Sequence, residues 1–127
     1  MAAKKWNILY IKDQNSKLNV NSEVFNTAFN KVDKASTSDE ANNYLETNKY
    51  DMVIRDISVE VLEGMLFLKR LKDVRPEQSL FALVAPDDED KLYKIAELNI
   101  NAVLLKAEEF DQALEAIGEF DPYAEHE

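Results

Sequence analysis

The stretch Tyr50-Asp51-Met52-Val53-Ile54-Arg55-Asp56-Ile57-Ser58 runs an apolar core straight into two opposite charges. Met52, Val53 and Ile54 read as the middle of a buried strand, Tyr50 to Arg55. A strand that only filled a core would end on a turn residue, and a solvent-facing strand would alternate apolar with polar residues. An acid at the tip of a hidden strand is a candidate working acid, so Asp56 is the first residue to account for.

Similar short runs recur on both sides of it. Trp6 to Ile11 (WNILYI) reads as a first strand and Lys31 to Ala35 (KVDKA) as a short second strand near the sheet edge. Leu80 to Ala85 (LFALVA) and Ala102 to Ala107 (AVLLKA) read as the fourth and fifth. Between them lie helical spacings. Leu18, Val24, Phe25, Ala28 and Phe29 predict a helix over Ser16 to Asn30. Thr37-Ser38-Asp39-Glu40 is a capping box that starts a helix with Ala41, Tyr44 and Leu45 on one face. After the third strand a loop to Gly64 is expected. A helix should follow with Met65, Leu66, Leu68 and Leu71 as its apolar side, ended by Pro76. Pro86 and the acids Asp87 to Asp90 start a further helix, where carboxylates suit the dipole. Glu108-Glu109 opens the last one, with Phe110, Ala113, Leu114 and Ile117. The order βαβαβαβαβα predicts an α/β fold: a five-stranded parallel sheet with helices on both faces.

Composition narrows the chemistry. The 127 residues are 46% hydrophobic and 31% charged, the mixture of one globular domain. That domain is expected to span 1–127, with a core over 6–120 and an acidic tail over 121–127. A net charge of −10 repels phosphate backbones and anionic lipid, so neither nucleic acid nor membrane is an expected partner. A basic protein patch suits it better. The absence of cysteine excludes disulfides, thiol nucleophiles and Cys-type zinc sites, and fits a reducing cytoplasm. The single histidine, His126, stands in the tail FDPYAEHE, which leaves no basis for a His-centred triad. The two glycines form neither GxGxxG nor GxxxxGK, against a Rossmann enzyme or P-loop NTPase. The N-terminal apolar stretch is too short for a signal peptide or membrane span.

In open parallel sheets, ligands sit beyond the carboxyl ends of the strands. Those ends carry Lys12-Asp13, Asp56, Ala85 and Lys106. The acid after strand one (ILYIKD), the strand-three acid (DMVIRD), Gly64 eight positions later and the strand-five lysine (AVLLK) together resemble a response-regulator receiver domain. The resemblance covers residues 6 to 120. It implies a (βα)5 flavodoxin-like fold in two-component phosphorelay signalling. Asp56 then resembles the phosphoacceptor, and Asp13 the acid that binds Mg²⁺ together with Asp56 and the Ser58 backbone carbonyl. Lys106 resembles the lysine that pairs with Asp56 and later with the phosphoryl oxygens. The implied partners are a histidine kinase or phosphotransfer protein and a downstream protein. The latter would dock on the last two helices and strand five, near Lys91, Tyr93, Lys94 and the helix from Glu108. The implied setting is the cytoplasm, as a monomer or weak homodimer. Any catalysis would be limited to Mg-dependent self-phosphorylation and dephosphorylation.

Four positions depart from the family pattern. Lys12 replaces the first of two acids, Ala85 the strand-four Thr or Ser, Val103 an aromatic, and Ala107 a proline preceded by a cis bond. A cis bond before alanine would cost about 3 kcal/mol, so trans is expected. Asp13 and Asp56 facing Lys12 and Lys106 sum to zero charge. Turned inward, Lys12 competes with the metal and pairs with Asp56 directly; turned to solvent on its long stem, it does neither. Weak Mg²⁺ binding and an altered switch are expected. The alternative is a pseudo-receiver, a docking module that works without phosphorylation. A flavin-binding enzyme on the same fold is disfavoured because KDQNSK offers no phosphate cradle.

Overall fold

The computed structural model describes residues 6–12, 29–57, 61–104, 112, 116 and 117. Five strands, β1 (Asn7–Ile11), β2 (Lys31–Ala35), β3 (Met52–Asp56), β4 (Ser79–Val84) and β5 (Asn101–Leu104), form one sheet in the order β2-β1-β3-β4-β5. Every pairing is parallel. Strands buried on both faces need continuous apolar runs, and the central three have them: all five residues of β3 are buried. The edge strand β2 carries the charges instead, as exposed edges do.

Alternation splits the core in two. Leu9, Ile11, Val53, Leu80, Ala82 and Val84 face three helices: α1 (Ser38–Thr47), α2 (Val61–Val74) and α3 (Leu92–Glu97). Ile8, Tyr10, Met52, Ile54, Phe81, Leu83 and Ala85 face the other way, against Phe29 and Ile117, the latter in helical conformation. The expected parallel sheet with helices on both faces is therefore present.

Local chemistry explains the boundaries. The Thr37 hydroxyl accepts from the Glu40 amide at 3.1 Å, so the capping hydroxyl starts α1 as its sequence implies. Ala41 and Leu45 are buried and Tyr44 half-buried on the face read from the sequence. After α3, Asn99 adopts φ 62°, a left-handed turn that asparagine tolerates and that aims the chain into β5.

Several boundaries differ from the expectation. The segment before Gly64 is not all loop: α2 begins at Val61 and carries Gly64 inside it. Its buried side is Phe67, Leu68 and Leu71 with half-buried Met65, whereas Leu66 is 51% exposed. Gly64 is there for space. A Cβ at that position would fall on the Ile57 Cγ2 methyl and lie 3.0 Å from the Ile57 Cβ, so the helix can rest on the end of β3 only where the side chain is hydrogen. From Pro86 the chain makes a 3₁₀ helix to Lys91 before α3, because Asp88 (φ −107°, ψ 20°) leaves helical torsion angles. Phe29 and Asn30 form a bend, so the predicted first helix stops short of Asn30, and its remainder lies outside the described residues. The end of the fifth strand from Leu105, the tail, and Phe110, Ala113 and Leu114 of the last helix also lie outside them.

Gly64→Ala should lower stability by about 1–3 kcal/mol through overpacking against a stiff β-branched neighbour. This should hold even though alanine favours the helix by about 1 kcal/mol. Urea unfolding midpoints check it: a variant as stable as the parent would contradict the close approach.

Candidate functional site

The opposite charges at the end of β3 separate to opposite faces of the sheet. Arg55 points under α2, at 8% exposure, and its Nη2 bonds Glu63 Oε2 at 2.6 Å. Its Nη1 donates to the Ser38 hydroxyl at 2.9 Å, and Ser38 donates to Glu63 Oε1 at 2.7 Å. The guanidinium lies 4.9 Å from the centre of the Phe67 ring, within cation–π range. Arg55 is thus a structural cation that ties β3 to the first turns of α1 and α2. This network is what the sequence reading missed. The available signal was an arginine inside a buried run, which requires an acid, with Glu63 eight residues on.

Asp56 faces the other side, 5% exposed, at the carboxyl end of the central strand. It pairs in register with Leu83 of β4. On β1, Ile11 pairs with Arg55, and the Lys12 amide continues the ladder by donating to Ala35 at 2.9 Å. The backbone of Lys12 therefore comes level with Asp56. Lys12 itself is half-buried. Ala85 lies on the Asp56 face and is buried, so a side chain without a hydroxyl closes that side. Val103 is half-buried, paired with Leu83 and packed on the same cluster. Asp13, Ser58, Lys106 and Ala107 lie outside the described residues.

The floor of this face includes Tyr10, buried two residues before Lys12. Burial raises its phenol well above the ordinary value, and the negative charge of Asp56 raises it further. On the opposite edge, the Tyr50 hydroxyl donates to Asp33 Oδ2 at 2.5 Å. Burial and then that bond push the Tyr50 phenol up as well.

For Mg²⁺, Asp56 offers a hard carboxylate oxygen, the donor type that the ion prefers, and the Lys12 backbone comes level with it. Among the described residues, no group of three or more acidic or histidine side chains gathers as a metal site. Also among them, no helix is long and apolar enough to cross a membrane.

The family described as the response regulator receiver domain matches residues 8–118. No curated protein matches the chain. A response regulator receiver domain protein from Clostridium thermocellum superposes with a TM-score of 0.68 at 24% identity, covering 87% of this chain and 91% of that one. Response regulator TrrA from Thermotoga maritima, solved in complex with Mg²⁺ and BeF, gives 0.67 at 18%, covering 87% and 95%. NtrX from Brucella abortus gives 0.70 at 14%, covering 90% of this chain but 27% of that longer one. At such identities these likenesses carry the fold alone.

Two outcomes follow from this geometry. Glu63→Ala should destabilise by about 1–3 kcal/mol, because it takes the carboxylate from a buried guanidinium, whereas Arg55→Met should cost less. Equal losses in paired urea titrations would contradict the clamp. The phenols of Tyr10 and Tyr50 ionise near 10.0 when unfolded and higher when folded. Between those values the unfolded state binds fewer protons, so stability should be flat below pH 10 in this respect and fall as pH rises above it. Tyr10→Phe should flatten the fall in urea unfolding at alkaline pH.

Proposed function

Because this chain belongs to the response regulator receiver domain family, we propose that it is a phosphorylatable receiver in which Asp56 takes a phosphoryl group from a histidine kinase, a phosphotransfer protein or a small acyl phosphate. One Asp56 oxygen forms the new O–P bond as the donor's N–P or O–P bond breaks, and the donor leaves with its electron pair. The observation that supports this reading best is the placement of Asp56. It sits at the carboxyl end of the central strand, where parallel sheets bind ligands, while the neighbouring Arg55 is committed to the opposite face.

Asp13, Asp56 and the Ser58 carbonyl are the residues that would hold Mg²⁺. The ion, when bound, neutralises charge on the transferring group. Lys106 would serve the phosphoryl oxygens. Lys12 sets this chain apart: its half-buried stem starts level with Asp56, and its charge opposes a dication. Metal binding is therefore weak and transfer slow. Buried Ala85 offers no hydroxyl to draw the following segment inward, and Val103 offers no aromatic ring to move with it. Any switch must use other parts.

That combination also supports the second reading, a pseudo-receiver that docks without phosphorylation. The downstream surface would include exposed Tyr93 with Lys94, beside an open hollow lined by Leu92, Ala96, Ile100 and Ala102. In this reading the protein acts as one receiver domain in the cytoplasm, and its output comes from a partner or another domain.

Incubation with acetyl phosphate and Mg²⁺, read by intact mass, tests the reading. A phosphate-sized gain that disappears in Asp56→Asn is the expected result. No gain with acetyl phosphate or with kinase-derived donors would favour the docking module.

A further inference from the structure

Apart from Tyr93, the large apolar side chains that stand exposed among the described residues are Leu62, Leu66 and Val74, all on α2. At about 3.6 residues per turn, Leu62, Leu66, Lys69 and Asp73 fall along one line of the helix, opposite Gly64, Leu68 and Leu71, which rest on the sheet. Leu62 is 74% exposed and Leu66 51%. The core does not use this stripe: α2 packs on the sheet through Phe67, Leu68 and Leu71.

The charges along the stripe have an order. Glu63 lies on the N-terminal side of Leu66, while Lys69 and Arg70 lie on its C-terminal side, with Lys69 paired to Asp73 at 3.5 Å. Glu63, Asp73, Lys69 and Arg70 sum to zero on a chain whose net charge is −10. Two copies that meet here pay less electrostatic repulsion than elsewhere on an acidic surface.

The polarity is also self-complementary. When two copies of α2 lie antiparallel with Leu66 at the crossing point, Arg70 of one comes level with Glu63 of the other. Both stand on the same flank of the stripe, the arrangement in which antiparallel helices bring flanking residues together. Leu62 then covers the aliphatic stems of Lys69 and Arg70 of the second copy. Glu63 is 47% exposed at its side chain even with Arg55 bound, so its carboxylate keeps room for a second cation.

We infer that this chain self-associates through the outer face of α2, as an antiparallel pair with Leu66 meeting Leu66 on the two-fold axis. The two leucines per copy make a small apolar centre, so the pairing is weak and grows with protein concentration. It needs neither phosphorylation nor metal.

Sedimentation equilibrium over a wide concentration range, on the full chain, tests the inference. The wild type should rise from one chain toward two. Leu66→Glu and Leu66→Lys should each stay monomeric, with thermal melts showing that both remain folded at this half-exposed position. Mixed one to one, the two variants should associate again, because a glutamate then meets a lysine across the axis. A wild-type chain that stays monomeric throughout overturns the pairing and leaves the face to a different protein. A dimer that survives Leu66→Glu, or a mixture that stays monomeric, also overturns it.

Discussion

The ion pair between buried Arg55 and partly exposed Glu63 is the constraint on which the centre of this structure depends. A guanidinium at 8% exposure is costly without compensation, and here a carboxylate, a hydroxyl and an aromatic face supply it. The pair draws α2 against the end of β3 so closely that residue 64 must lack a side chain. It also fixes the rotation of the strand. With Arg55 committed beneath α2, alternation leaves Asp56 no choice but the opposite face. An ion pair of this kind is weak as a source of net stability. Its effect here is to specify which way the strand end points.

The face that Asp56 then occupies is apolar below and charged at its rim. Ile8, Ile54, Leu83 and Ala85 make the floor, and Tyr10 contributes a phenol that burial and the neighbouring carboxylate keep protonated. Charge at the rim therefore rests on few groups. Lys12 takes a position where a second acid would have favoured a dication. The same fold can carry many functions, so the character of this site rests on its side chains.

Much of the fold was legible because the decisive residues act locally. Met52 to Ile54, Ile8 to Ile11 and Leu80 to Val84 are uninterrupted apolar runs that only a doubly covered parallel strand accommodates. Thr37 and Glu40 mark a helix start by a bond that spans three residues. Gly64 is expected at the end of a loop, whereas it lies inside α2, where its role depends on Ile57 across a helix–strand contact. Leu66 is expected on the apolar side of α2 but stands 51% exposed, because at about 3.6 residues per turn it falls nearly opposite Leu68 and Leu71. The position of Asp56 at the tip of a hidden strand is legible in the sequence, and the structure places it as the last residue of β3. The partner of Arg55 was not, because an ion pair between a strand and the next helix leaves no periodic trace in the sequence.

On the proposed reading, the charge of Lys12 holds down the affinity of the Asp56 pocket for Mg²⁺. The most direct measurement is a Mg²⁺ titration followed by the backbone amide signals of Asp56 and Ile57, for the wild type and for Lys12→Asp. The wild type should fail to saturate at submillimolar metal, and Lys12→Asp should bind about tenfold more tightly or better. Saturation of the wild type at submillimolar metal, or equal affinity in the two proteins, would contradict the claim.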